Sequence, residues 1–222
     1  MQLFFKQKIN IISLLTVTVF MLFNIWNIIY NTPMVPEQHW AQKIFYVHVP
    51  SAWVGFLSYF VVMISGLMFF VKGNDYWDRV GLAAAEIGTI FISLVLITGP
   101  IWATPIWGKP WTWEPRLTTT LLIFLTYIIY FMVREFSGTK EEGARLGSII
   151  SILAFLDVPL IYFAVDMWTP EAQAHPGRNT IAESSDLIQN LFLFSLVNFS
   201  FILFNIVKIR IHIEKIVRNI NV

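Results

Sequence analysis

The sequence predicts an all-α integral membrane protein of six transmembrane helices, with both termini cytoplasmic and a tryptophan-rich outer loop between helices 3 and 4. Three observations carry that expectation. Hydrophobic residues make up 56% of the 222 positions and charged residues only 13%, and the mean hydropathy is +0.65, a balance outside the range of soluble domains. Apolar runs long enough to cross a hydrocarbon core recur six times. The links between them are short, which points to a single six-helix membrane domain over residues 1–222.

The six runs lie at about 9–30, 51–71, 82–102, 117–134, 147–168 and 187–207, each close to the roughly 20 helical residues a bilayer demands. The first follows Lys6 and Lys8 and ends at Tyr30 without a small-residue cleavage site, so it reads as a retained span. Before the second, Pro50 suits a first helical position and Ser51 a helix entry. The third leads into the tryptophan-rich stretch and the fourth leaves it. The fifth contains Asp157 and Pro159, and the sixth runs into a basic tail.

Sidedness follows from the basic residues of the links. Lys6, Lys8, Lys72, Arg79, Arg134, Lys140, Arg145, Lys208, Arg210, Lys215 and Arg218 fall on one side, and Lys43, Lys109, Arg116 and Arg178 on the other. Eleven against four puts both termini in the cytoplasm or its organellar equivalent. Links 31–50, 102–117 and 168–186 then face outward. The formal net charge of +1 with dispersed basic residues argues against a nucleic-acid surface. The absence of cysteine excludes disulfides, iron–sulfur ligation and thioether attachment of haem within this chain.

Four of the nine tryptophans, Trp102, Trp107, Trp111 and Trp113, occupy twelve consecutive positions. They suit a platform for a flat apolar ligand or an interfacial belt. Eight of the nine fall on the outer side with Trp77 the exception, whereas a belt populates both interfaces. At the same level lie His48 and His175. Either alone reads as an ordinary loop histidine, but two imidazoles beside an aromatic platform suit the axial positions of haem iron. Arg116 and Arg178 suit haem propionates, and Lys109 adds a point charge. For Arg116 a snorkelling role, and for Arg178 a solvated one, are equal alternatives.

Glu114 suits a supporting role, accepting indole N–H groups or pairing with Arg116, beside Gly108 in the turn. No second carboxylate or nucleophile accompanies it, so catalysis finds no support. Glu86, Asp157 and Asp166 fall within spans, where ionisable groups are functional candidates. Asp157 reads as a packing hydrogen-bond group or a functional carboxylate in equal measure. His39 and His212 do not read as ligands.

The segment Trp107-Gly108-Lys109-Pro110-Trp111-Thr112-Trp113-Glu114-Pro115-Arg116-Leu117-Thr118 resembles the tryptophan-rich WWD signature of haem-handling proteins of cytochrome c biogenesis. Thr98-Gly99-Pro100-Ile101-Trp102-Ala103 and Tyr46-Val47-His48-Val49-Pro50-Ser51-Ala52-Trp53 look like stretches of its smaller branch, the CcmC family, as do the six spans. The resemblance covers nearly the whole chain. It implies non-covalent haem b held at the outer face of the bacterial inner, or mitochondrial inner, membrane between His48 and His175 as iron ligands, against Trp102, Trp107, Trp111 and Trp113. It further implies presentation to the haem chaperone CcmE, with CcmD and the ABC transporter subunits CcmA and CcmB as partners. Glu114 stands where the signature usually carries aspartate, and the stretch around His175 matches least. With no phosphate-binding loop in the chain, energy has to come from a partner. The sequence thus reads as a haem-binding and transfer protein rather than an enzyme, with a haem permease, and behind it a cytochrome b-like electron carrier, as the competing readings.

Overall fold

A computed structural model describes residues 2–36, 38–167 and 181–220. Among them the chain forms seven α-helices: α1 (Gln2–Tyr30), α2 (Phe45–Lys72), α3 (Asp75–Trp107), α4 (Pro115–Phe136), α5 (Lys140–Phe155), α6 (Asp157–Met167) and α7 (Asp186–Ile220). A short 3-10 helix, Trp40–Ile44, leads into α2. Six segments are long and apolar enough to span a membrane, with α5 and α6 forming one of them.

The helices outrun the apolar runs, because backbone hydrogen bonding continues through polar residues after the hydrocarbon ends. The link between α2 and α3, expected over 72–81, shrinks to Gly73 and Asn74. Gly73 closes α2 with φ 58°, and the Asn74 side chain accepts from the Tyr76 amide of α3. At the other end α2 begins at Phe45, so His48 and Pro50 lie inside a helix rather than ahead of one. The preceding 3-10 turn already sets helical backbone angles there. Likewise His212 stands on α7 and not in a loose tail.

The fifth span is broken. Pro159 has no N–H, and its ring collides with the carbonyl four residues earlier, which is that of Phe155, the last residue of α5. The chain tightens at Leu156, whose amide bonds the Leu153 carbonyl at 3.1 Å, and restarts at Asp157.

Packing rests on small residues, as expected where lipid offers no hydrophobic drive for helix association. A Cβ at Gly88 of α3 would lie 2.9 Å from Ser58 Cβ and from the Tyr59 ring of α2, and one at Gly66 would lie 2.9 Å from Ser151 Oγ of α5. Across this core Tyr59 stacks on Tyr127 of α4, centroids 3.6 Å apart and planes within 4°. Ser195 of α7 donates to Asn24 of α1 at 3.0 Å, satisfying the buried hydroxyl.

Charged residues gather where α3 begins and α4 and α7 end. Asp78, 7% exposed, accepts Arg134 Nη1 at 2.7 Å and Nη2 at 3.1 Å, and Arg218 Nη2 at 2.7 Å. Arg218 and Arg210 share Glu214, and Arg210 reaches Glu86 at 2.7 Å. Glu86, an isolated acid by its place in the sequence, is thereby paired. Asp157 keeps one carboxylate oxygen, Oδ2, without a hydrogen-bond partner.

Candidate functional site

The opposite end of the bundle is hollow. From Asp78 to Thr98 is twenty residues along α3, roughly 30 Å at 1.5 Å per residue and so about one hydrocarbon thickness. There the start of α2, the end of α3, the start of α4, α6 and the start of α7 surround a cavity of about 420 Å³, within the roughly 300–1,000 Å³ of small-molecule sites. One wall is a single face of α2: Phe45, His48, Val49, Ala52, Trp53 and Phe56, at helical spacing.

His48 is 8% exposed. Its Nδ1 lies 2.9 Å from Thr98 Oγ1 of α3, and the Thr98 hydroxyl lies 2.7 Å from the Leu94 carbonyl one turn back. A hydroxyl has one proton. With that proton on Leu94, the oxygen accepts from Nδ1–H of His48, which fixes the imidazole tautomer and puts the ring lone pair on Nε2. Trp102, four residues after Thr98 and so on the same face, meets the imidazole edge to face at 5.6 Å. Between them Gly99 leaves room for the ring: a Cβ there would lie 3.3 Å from His48 Cε1.

The indole N–H of Trp102 donates to Gln38 at 3.4 Å. Trp111 also lines the cavity, and its Nε1 is buried without a hydrogen-bond partner. Glu114 is therefore not the acceptor of that indole; its backbone carbonyl caps α4, accepting from Thr118, and the residue is 5% exposed. Gln42 Oε1 is a second orphaned polar atom on the cavity wall. Arg116 lines the cavity as well, while its Nε and Nη2 donate to the Ile161 and Tyr162 carbonyls at 3.3 and 3.2 Å, tying α4 to α6.

Of the residues singled out in the sequence, His48, Trp102, Trp111 and Arg116 come together on this cavity. Trp107 closes α3 and does not line it, and Trp113 is 76% exposed, packed edge to face against Trp111 at 5.7 Å. The tryptophan-rich segment is thus half helix and half loop, with Trp102 and Trp107 on α3. Gly108 ends that helix at φ 73°, a left-handed position that favours glycine, and its amide bonds Thr104 at 3.0 Å. Lys109 is exposed in the link that follows. Trp168, His175 and Arg178 lie outside the described residues. Thr98 and Gln38 were not singled out as site residues, because nothing local marks a residue whose partner lies fifty or more positions away.

An apolar, aromatic-walled cavity with one oriented imidazole, a guanidinium and two orphaned polar atoms suits a flat amphiphile carrying a metal and anionic groups. The orphaned Trp111 N–H matches a carboxylate oxygen, and the Gln42 oxygen a donor such as water. Among the described residues no cluster of three or more His, Cys, Asp or Glu is set to hold a bare metal ion.

Residues 2–221 match the sequence profile of the family described as heme exporter protein C. A heme exporter protein C of Bradyrhizobium diazoefficiens is 32% identical over 143 residues, covering 63% of this chain and 54% of that protein. A ccmC-like mitochondrial cytochrome c biosynthesis protein of Marchantia polymorpha is 34% identical over 140 residues, covering 63% and 59%. A heme exporter protein C of Paracoccus denitrificans is 30% identical over 137 residues, covering 62% and 57%. The matched region spans between about half and three fifths of these relatives.

Proposed function

The chain belongs to the heme exporter protein C family, and on that premise we propose that it binds haem b non-covalently in the cavity beside His48 and presents it for c-type cytochrome assembly. The observation that carries this reading is that His48, held through Nδ1 by the Thr98 hydroxyl, lines an aromatic-walled cavity. His48 and His175 would hold the haem iron through their imidazole nitrogens. Trp102 and Trp111 give the porphyrin apolar faces, and Arg116 with Arg178 neutralises the propionates.

In this reading the cavity end faces the outer, periplasmic side and the Asp78 end the cytoplasm, in a bacterial inner membrane or a mitochondrial inner membrane. The recipient is the chaperone CcmE, and CcmD with the transporter subunits CcmA and CcmB complete the assembly. The chain performs no bond-making chemistry of its own.

Purified wild-type protein is expected to carry a Soret band that weakens or shifts in His48→Ala and in His175→Ala. Spectra unchanged in both variants would remove the ligand assignment. Haem accumulation inside vesicles containing this chain alone would replace presentation by the permease reading.

A further inference from the structure

A second, larger hollow lies at the charged end. Between α2, α3 and α7 a cleft of about 1000 Å³ opens, and among the described residues no carboxylate lines it. Four cationic or protonatable groups do: Arg79, Lys208, His212 and Lys215. The last three stand four and three residues apart on α7, hence on one helical face. Below them the same cleft is lined by Leu57, Val61, Phe204 and Val207. Its wall along α7 runs from Ser200 to Lys215, roughly 22 Å at the helical rise, comparable with one leaflet of a bilayer.

The serine of the floor is already satisfied. Ser58 Oγ donates to the Ala84 carbonyl at 2.6 Å, so these small residues leave volume without leaving an unpaired group. Of the nearby acids, Asp75 pairs with the cleft's own Arg79 and with Arg218, and Glu214 pairs with Arg210 and Arg218, which leaves the lysines without a partner acid. Lys208 and Lys215 are exposed and form no ion pair among the described residues.

An apolar slot of leaflet depth, crowned by unpaired cations at one end, is complementary to a single class of molecule: an amphiphile with an anionic head and long apolar chains. We propose that this cleft is a binding site for an anionic phospholipid of the adjacent leaflet, its phosphate held by Lys208 and Lys215 with His212, and an acyl chain laid against Leu57, Val61 and Phe204. Its height on α7 separates it from the cavity at His48. A resident lipid there fills the gap between α7 and the α2–α3 pair, and so supports the helix that carries the Arg210 and Arg218 ion pairs.

The test uses the full-length protein in nanodiscs of phosphatidylcholine containing about one tenth phosphatidylglycerol, with co-retained lipid counted by native mass spectrometry after transfer to detergent. Wild-type protein is expected to retain phosphatidylglycerol over phosphatidylcholine. Lys208→Gln/Lys215→Gln should lose roughly 10- to 30-fold of that preference, following about a fivefold effect or somewhat less per surface cation. Lys140→Gln/Arg145→Gln, at the same end but off the cleft, should keep it. Both pairs change exposed side chains, so folding is not at issue. Equal retention of the two lipids by wild type, or an undiminished preference in the Lys208/Lys215 variant, overturns the proposal. So does stoichiometric displacement of the lipid by haem or by a partner subunit, which would give the cleft to that occupant instead.

Discussion

His48 of α2 and Thr98 of α3 are joined at 2.9 Å through Nδ1 and Oγ1, fifty residues apart in sequence. The same hydroxyl is committed to Leu94 at 2.7 Å, so the pair orients the imidazole rather than merely filling space. Thr98 touches no ligand in this arrangement; it is a positioning residue acting through His48. Replacing it tests that role directly. Thr98→Val keeps the shape and removes the acceptor, and is expected to lower haem affinity roughly 10- to 100-fold, the usual cost of losing the partner of a metal-ligating histidine. Thr98→Ser should retain most of the affinity. Titration of haem followed at the Soret band reads both, and equal losses in Val and Ser would make the effect steric.

Gly99 sets the clearance for that ring. A methyl group at 3.3 Å from His48 Cε1 leaves the imidazole little room to stay where it is. Gly99→Ala should shift the Soret maximum or the coordination state with thermal stability nearly unchanged, and Gly99→Val should abolish binding. Resonance Raman spectroscopy of the two variants distinguishes a moved ligand from a blocked cavity.

Trp111 offers a buried N–H with no partner. Trp111→Phe keeps the aromatic surface and deletes the donor. Haem affinity is expected to fall roughly tenfold, corresponding to the lower end of a hydrogen bond to a charged acceptor. The iron coordination signature should not move. An unchanged dissociation constant would show that the indole contributes its face alone.

Asp78 holds Arg134 and Arg218 together while almost wholly buried. Asp78→Ala leaves the buried Arg134 guanidinium without its counter-charge, beside Arg218, which keeps Glu214 and Asp75, and removal of one partner from a buried ion pair costs about 3–5 kcal/mol. A large loss of thermal stability in detergent is the expected outcome. Arg145→Ala, which breaks only the exposed pair with Glu141, should be nearly silent.

Gly88→Val places side-chain atoms into Ser58 and Tyr59, whose atoms already lie 2.9 Å from a Cβ there. Overpacking of this kind costs about 1–3 kcal/mol. Denaturation in mixed detergent should show it, together with loss of the Tyr59–Tyr127 stack by near-ultraviolet circular dichroism.

The sequence by itself determined the six membrane-crossing segments, because hydropathy reports directly on the thickness a segment must match. It also exposed the tryptophan segment, His48 and Arg116 as a group worth joining, and the resemblance of its motifs pointed to the family that the profile match bears out. Helix ends were less legible: interfacial polar residues do not stop backbone hydrogen bonding, so α2 takes in His48 and α3 takes in Trp102 and Trp107. The break at Leu156 did leave a local mark, in Pro159 and the carbonyl it denies at Phe155.

Only the tertiary structure decided which of these residues meet. It put Trp102 and Trp111 on the cavity and left Trp113 outside it, supplied Thr98 and Gln38 as partners, and paired Glu86 with Arg210. The physical reason is that apolar periodicity fixes how deep a helix sits but not its rotation or its neighbour. Those follow from small-residue contacts such as Gly88 against Ser58 and Tyr59, where a few tenths of an ångström choose the register and with it the faces that enclose a site.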